Sequence, residues 1–396
     1  DNYVLQLARL FKSKLNPGRK VYLEYSNEIW NWQFSQAHYV GKNGRVAETP
    51  ALNAADSVYN GLRAVGQKYC NDPESYCHPE KDAYMMMRTF KLWRSVFSGA
   101  DTARLVRVAA VQHSWYDNTR RVLKFLFEPG NGGCDAVSPA GYFSFNKATH
   151  DVWNAMSPSQ VTPAMILRAV DSLYDSTSGK WTRETGKIAA QYKVDYLVYE
   201  GGQHMQPYDQ KDWGYNQAVW DARIHPAMYD LYMKNFRCHA EEGVNCKLFA
   251  AFSYVGTRQS KYGSWGHLEN YSQLLNMSTL KTVAPKYQAL IDVNTAKGST
   301  ASDFLGKNPG NKQSEGFEIR MAGNTVLLSQ TSGRVLRVRI IDGVGRTVRS
   351  AAVSGGAFRA GDNLPAGTYI LQVSADRRVV QTRFVVSRSS SSRVGW

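Results

Sequence analysis

What most limits the fold of this chain is a change of rhythm repeated along its first 290 or so residues. Short apolar runs, each the length of one strand, alternate with long stretches whose apolar residues recur at helical spacing. A strand can reach a parallel neighbour only through a long return connection, usually a helix, so this alternation specifies βα units and a parallel sheet. The strand candidates are Val21 to Ser26 (VYLEYS), Leu105 to Gln112 (LVRVAAVQ), Ala136 to Tyr142 (AVSPAGY), Tyr196 to Glu200 (YLVYE) and Lys247 to Tyr254 (KLFAAFSY). Helix candidates between them include DAYMMMRTFKLWRSVF and NQAVWDARIHPAMYDLYMKNFRCHAEEG. The fold class expected is α/β.

Near residue 295 the rhythm breaks. The segment TAKGSTASDFLGKNPGNKQSE is small, polar and interrupted by Gly and Pro, the composition of a linker. Beyond it, FEIRMAGNTVLLSQ, VLRVRIIDGVGRTVRSAAV and GTYILQVSADRRVVQTRFVV alternate with period two between turn residues. The organisation expected is an α/β unit over 1–295, a linker over 296–315, a small all-β sandwich over 316–388 and a Ser/Arg tail over 389–396.

Composition narrows the function. Of 396 residues, 43% are hydrophobic and 20% charged, enough apolar material for a large core, and no apolar run is long enough for a membrane-spanning helix. The formal charge is +15. From residue 316 onward twelve Arg stand against four acids, about half of that excess, yet no nucleic-acid motif or basic helical stripe accompanies it, so a solvated basic surface is expected and no nucleic-acid partner. The cysteines fall as two close pairs, Cys70 with Cys77 and Cys238 with Cys246, which suggests two short disulfide loops and an oxidising compartment. Cys134 is left over, a thiol expected to be buried. No HxH or HExxH arrangement occurs, so neither a metal nor a cofactor is expected.

Chemistry-bearing residues gather at strand ends. Glu28 follows the run Val21 to Ser26, and Glu200 ends the run Tyr196 to Glu200. In a parallel barrel the functional groups lie where strands give way to βα loops. Two carboxylates there are what glycoside cleavage requires, one to protonate the departing oxygen and one to attack the sugar or activate water. Asn27 offers hydrogen bonds for a sugar hydroxyl, and Trp30, Trp32, Trp115 and Trp265 offer flat faces on which a pyranose can stack.

EYSNEIWN resembles the Asn-Glu signature at the fourth strand of the retaining glycoside hydrolases of the large clan A, among them cellulases, mannanases and xylanases, and YLVYEGG resembles the seventh-strand end that carries their nucleophile. The resemblance implies a (β/α)8 TIM barrel. It implies Glu28 as acid/base, Asn27 as its neighbour contacting the 2-hydroxyl, Glu200 as nucleophile and Tyr142 as the sixth-strand tyrosine that hydrogen-bonds it; Tyr142 and backbone donors together are expected to keep Glu200 ionised. It implies Trp265 as the aromatic floor after the last strand and His113, at the fifth strand end, as a sugar contact. With Glu28 closing the fourth strand, the first three strands have no residues to occupy, and the chain reads as the C-terminal portion of a longer hydrolase. The later segments DNLPAGTYILQV and QTRFVV resemble the sorting domain of the type IX secretion pathway of Bacteroidetes-like bacteria, which implies secretion or display at the cell surface through that machinery. The function expected is hydrolysis of a β-linked, plant cell-wall type polysaccharide by a two-glutamate double displacement. The alternative is a non-catalytic carbohydrate-binding or cell-surface protein built on a partial barrel.

Overall fold

The computed structural model of the chain describes residues 1–44, 56–275 and 277–296, and further on the stretches 317–322, 325–330, 336–342, 346–353, 356–360, 363–365, 367–375 and 378–386. The chain divides into two compact units, Asp1–Ala296 and Lys297–Trp396. The linker expected over 296–315 lies, but for Ala296, outside the described residues, as does the tail expected over 389–396.

The first unit is built on a parallel sheet of β1 (Val21–Glu24), β2 (Leu105–Ala110), β3 (Ala136–Ser138), β4 (Gly141–Phe143), β5 (Asp195–Gln203) and β6 (Leu248–Ala251). β3 and β4 are the two halves of one expected strand, both parallel to β5. Along the sheet the strands follow one another in chain order, with β1 against β2, β2 against β3, the β3/β4 pair against β5, and β5 against β6. A doubly wound sheet would reverse direction partway. An unreversed order with a helical return between most strands is the winding of an α/β barrel, and this unit is a partial one.

Alternation along the strands sorts the side chains to two faces. Val21, Leu23, Leu105, Ala109, Val137, Tyr196 and Val198 point toward the helices, where they meet Met86, Phe90, Trp93, Val122 and Leu126 in one core. Burying each large apolar side chain there stabilises by roughly 1.5–3 kcal/mol. The opposite face carries a smaller cluster of Val106, Val108, Ala136 and Leu197. Helix His78–Val96 supplies much of the core. It begins with Pro79 in the first turn, where a missing N–H costs nothing because that donor has no partner within the helix. Helix Asn2–Lys14 lies against it, with Phe11 edge-on to Trp93 at 5.7 Å.

Of the two expected disulfides, one forms. Cys70 closes helix Ser57–Cys70, Cys77 precedes helix His78–Val96, and a bond joins them. Cys238 and Cys246 do not pair, which corrects the expectation from their spacing. The chain does bring their backbones close, since the Cys246 N–H donates to the His239 carbonyl at 2.9 Å. The sulfurs diverge, however: Cys238 is buried with its Sγ 3.8 Å from the Gly179 carbonyl, whereas the Cys246 Sγ lies 3.2 Å from the Leu248 carbonyl. Cys134 is a buried thiol, pushed up to about 12 by burial.

The second unit is all β. β9 (Leu336–Ile341), β10 (Thr347–Val353), β12 (Gly367–Ala375) and β13 (Arg378–Val386) form one antiparallel sheet in the order β10-β9-β12-β13, and β7 (Phe317–Ala322), β8 (Thr325–Gln330) and β11 (Gly356–Arg359) form a second in the order β11-β8-β7. Val338, Ile340, Leu371 and Val373 are buried at its centre, and the Tyr369 hydroxyl donates to the Pro365 carbonyl at 2.9 Å.

Candidate active site

β1 ends at Glu24, and the backbone then turns sharply. Ser26 and Glu28 both take left-handed conformations, with φ of 58° and 43°, which side chains other than glycine adopt only where the surroundings enforce them. The Asn31 N–H closes the turn on the Glu28 carbonyl at 2.8 Å. This turn carries Glu28 into a network. The Tyr199 hydroxyl donates to its Oε1 at 2.7 Å and the Asn31 amide to its Oε2 at 2.8 Å.

Glu200 arrives from β5 through an irregularity. Val198 pairs with Phe249 and Gly201 with Ala251, so β5 has one residue more than β6 between these points. Such a bulge breaks the alternation of faces. Tyr199 and Glu200, which strict alternation would send to opposite sides, both serve the same site: Tyr199 binds Glu28, and Glu200 accepts from the Tyr142 hydroxyl at 3.0 Å. Two glycines make room behind them. A β-carbon on Gly201 would meet the Phe249 ring at 2.5 Å and the Gly141 carbonyl at 2.8 Å, and one on Gly141 would meet the same ring at 2.6 Å.

The electrostatics of this network are dominated by burial. Glu200 is raised above the ordinary carboxylate range by desolvation and by the negative charge of Glu28, while the Tyr142 hydrogen bond pulls it back. The expectation that Tyr142 and backbone donors would keep Glu200 ionised leaves out the larger, opposing cost of burial. Both tyrosine hydroxyls are pushed up by burial and by the glutamates, which keeps them donors. A third carboxyl, Glu24, stands near the other two; burial and the charges of Glu200 and Glu28 raise it to about 7.

Glu28, Trp30, His113 and Tyr142 line one cavity of about 290 Å³ together with Trp181, Tyr199 and His204. Glu200 joins this group through Tyr142. His113 is buried with its Nε2 3.2 Å from the Thr182 hydroxyl and its ring edge-on to Trp181. Burial lowers it to about 3, so the ring is neutral and turns its nitrogens into the protein. Asn27 is exposed, and its backbone carbonyl accepts from Gln36. Trp265 lies behind the cavity wall, donating its indole N–H to His204 Nδ1 at 3.0 Å. Trp32 packs against Tyr76 with ring centroids 3.9 Å apart and planes tilted by 38°, and Trp115 meets Arg121; neither lines this cavity. Among the described residues, no three His, Cys, Asp or Glu side chains converge as a metal-binding set.

Sequence reasoning did not single out Tyr199, Asn31, His204, Trp181 or Glu24. Asn31 stands three residues beyond Glu28, the spacing of a tight turn, and this was the one signal that could have found it. Tyr199 was hidden by the assumption of alternation that the bulge breaks.

The fold and this site define a partial α/β barrel in which Glu28 stands in the loop after β1 and Glu200 lies within β5, three residues before its end, each bound by a tyrosine hydroxyl. No protein-family model matches the chain, and no curated protein matches it. Among solved structures, it is similar to a double mutant of the Cellulomonas fimi endo-β-1,4-mannanase, at 11% identity over 80% of this chain and 61% of that one, with a TM-score of 0.28. An endo-β-1,4-mannanase from Thermotoga petrophila aligns at 10% identity over 78% of this chain and 61% of its own, TM-score 0.25. A calcium-binding mutant of Bacteroides uniformis β-glucuronidase 2 aligns at 9% identity over 86% and 37%, TM-score 0.27. The chain thus spans about 61% of the length of these mannanases. Likeness at this level carries no argument about this chain, and its fold and chemistry are read from its own structure.

Proposed function

We propose that this protein is a retaining glycoside hydrolase acting on a β-linked polysaccharide, with Glu200 as nucleophile and Glu28 as acid/base. The observation that carries this reading is the two carboxyls, Glu28 in the loop after β1 and Glu200 within β5, each held by a tyrosine hydroxyl and the charge of Glu28 felt by Glu200. In the first step the Glu200 carboxylate attacks the anomeric carbon, the glycosidic bond breaks, and Glu28 gives its proton to the departing oxygen. In the second, Glu28 takes a proton from water as the water oxygen displaces Glu200 from the anomeric carbon, which restores both groups. Tyr142 steadies the nucleophile, Tyr199 and Asn31 fix the acid/base, and Trp30 and Trp181 offer apolar faces to the ring. Secretion and cell-surface attachment through the second unit belong to the same proposal, which is compatible with the disulfide Cys70–Cys77. No helix among the described residues is long and apolar enough to cross a membrane.

The experiment pairs two variants on β-linked polysaccharides and aryl glycosides. Glu28→Gln should lower turnover of substrates with poor leaving groups by roughly 10²- to 10⁴-fold while activated aryl glycosides lose far less. Glu200→Ala should abolish turnover and regain part of it with azide, which replaces the lost nucleophile and leaves a glycosyl azide of inverted configuration. Equal losses on both substrate types, or no azide product, would reject these roles. Binding without turnover by the unaltered protein would favour the non-catalytic carbohydrate-binding alternative.

A further inference from the structure

The cavity at Glu28 has a larger neighbour. A second depression of about 700 Å³ opens beside it, and Ser144, Phe145, Asn146 and His204 line both. Its size falls within the roughly 300–1,000 Å³ of small-molecule sites. Gln33, Gln206 and Gln210 contribute amide side chains to its lining. Its two lysines are already neutralised, Lys147 by Asp151 at 2.8 Å and Lys211 by Asp209 at 3.3 Å. Amides both donate and accept and so suit hydroxyl groups, whereas cations already paired to carboxylates leave little attraction for an acidic ligand.

His204 stands where the two cavities meet, and its protonation is set by its neighbour. An indole N–H can only donate. The Trp265 Nε1–H points at His204 Nδ1 at 3.0 Å, so Nδ1 offers its lone pair and the proton of the neutral ring sits on Nε2. Burial lowers this imidazole below its ordinary value, which keeps it neutral. The residue is also fixed in place. Its N–H donates to the Phe143 carbonyl at 2.8 Å, the Ser144 hydroxyl donates to its carbonyl at 2.7 Å, and its ring packs against Tyr142 at 5.1 Å. Nε2–H is therefore a donor of known tautomer on an anchored ring that lines both cavities.

We propose that His204 reads a neutral glycan across the junction: its Nε2–H donates to a hydroxyl of the sugar adjoining the one held at Glu28 and Glu200, and the larger cavity receives the units that follow. This rests on the glycosidase reading above and deepens it. The substrate class it names is an uncharged chain of at least three sugars, with affinity and turnover that grow with length on the His204 side.

The test compares kcat/KM on an aryl glycoside with kcat/KM on cello-, manno- and xylo-oligosaccharides of two to six units. His204→Phe keeps a ring against Tyr142 but removes the donor. The ratio of the five-unit oligosaccharide to the aryl glycoside should fall roughly ten- to hundredfold, and His204→Gln, which returns an amide donor near the same point, should recover most of it. Gln206→Ala, in the larger cavity, should flatten the gain from the third and later units without altering the thermal midpoint of unfolding. Equal losses on long and short substrates would mark His204 as merely structural and overturn the proposal, as would a wild-type kcat/KM that does not rise with length. Should the wild type cleave none of these sugars, the glycosidase reading fails by itself. Calorimetric binding of the same oligosaccharides then decides the second cavity: affinity that rises with length and is lost in His204→Phe supports it, and flat or absent binding overturns it.

Discussion

Glu24 carries the least satisfied oxygen near the site. Its Oε1 is buried and has no hydrogen-bond partner, and the nearby charges of Glu200 and Glu28 add repulsion to desolvation. The folded protein therefore prefers this carboxyl protonated, with its pKa raised from 4.5 to about 7. The folded state binds a proton more tightly than the unfolded chain, so the stability contributed by this group is complete below about pH 4.5 and is lost as the pH rises through about 7. Glu24→Gln removes that titration. The variant should match wild type near pH 4 and exceed it at pH 8, by at most roughly 3 kcal/mol for a shift of this size. Urea midpoints at pH 4, 6 and 8 measure this, and parallel profiles for the two proteins would show that Glu24 does not titrate as its surroundings dictate. The same residue shows how far single positions can be read ahead of a structure. Glu28 and Glu200 stood out because one directly follows and the other closes an apolar run before a Trp- or Gly-bearing loop. Glu24 sits inside its run, where alternation says only that it shares a face with Tyr22 and says nothing of which carboxyls come near.

At the scale of elements, β5 decides the geometry. Its extra residue between Val198 and Gly201 turns Tyr199 and Glu200 into one site, and Gly201 next door lets Phe249 lie against it. Gly201→Ala would force a methyl group into the Phe249 ring and the Gly141 carbonyl, contacts of 2.5 and 2.8 Å. The strand must shift to relieve them. Overpacking of this kind costs about 1–3 kcal/mol, and a displacement of Glu200 by even part of an ångström lowers turnover by roughly ten- to hundredfold. Thermal unfolding and kcat on one aryl glycoside measure the two effects, and a variant with unchanged kcat would show that β5 holds Glu200 independently of this packing. Strands were the legible elements. All of the expected apolar runs in the first unit are strands of one parallel sheet; the central ones, β2, β3 and β5, are buried largely on both faces and leave a near-continuous apolar signature. The break of AVSPAGY into β3 and β4 follows from Pro139, which has no N–H for the ladder. The bulge left no such mark, since a register shift depends on how β5 meets β6 and not on the composition of either. The pairing of Cys238 with Cys246 failed for a related reason: spacing brings two backbones together, but the side-chain directions are fixed by what each sulfur packs against.

At the scale of the whole molecule, charge separates the competing functions. The chain carries 48 Lys and Arg against 33 Asp and Glu, and the excess of +15 will attract any polyanion at low ionic strength. Attraction of this kind comes from counterion release and fades steeply, by roughly 10³-fold or more between 50 and 200 mM salt for a protein that engages several phosphates. Recognition of a neutral sugar by amides, tyrosines and an uncharged histidine has no such term. The protein should therefore bind heparin or duplex DNA in 50 mM salt and release them by about 200 mM, while kcat/KM on a neutral β-linked polysaccharide changes by less than about twofold over that range. Both measurements use the same protein and the same salt series. Hydrolysis that fell with salt in step with polyanion binding would mean that the basic surface takes part in recognising the substrate, and that the substrate is acidic; hydrolysis that held steady would assign the positive charge to the solvated surface and leave Glu28 and Glu200 with a neutral glycan.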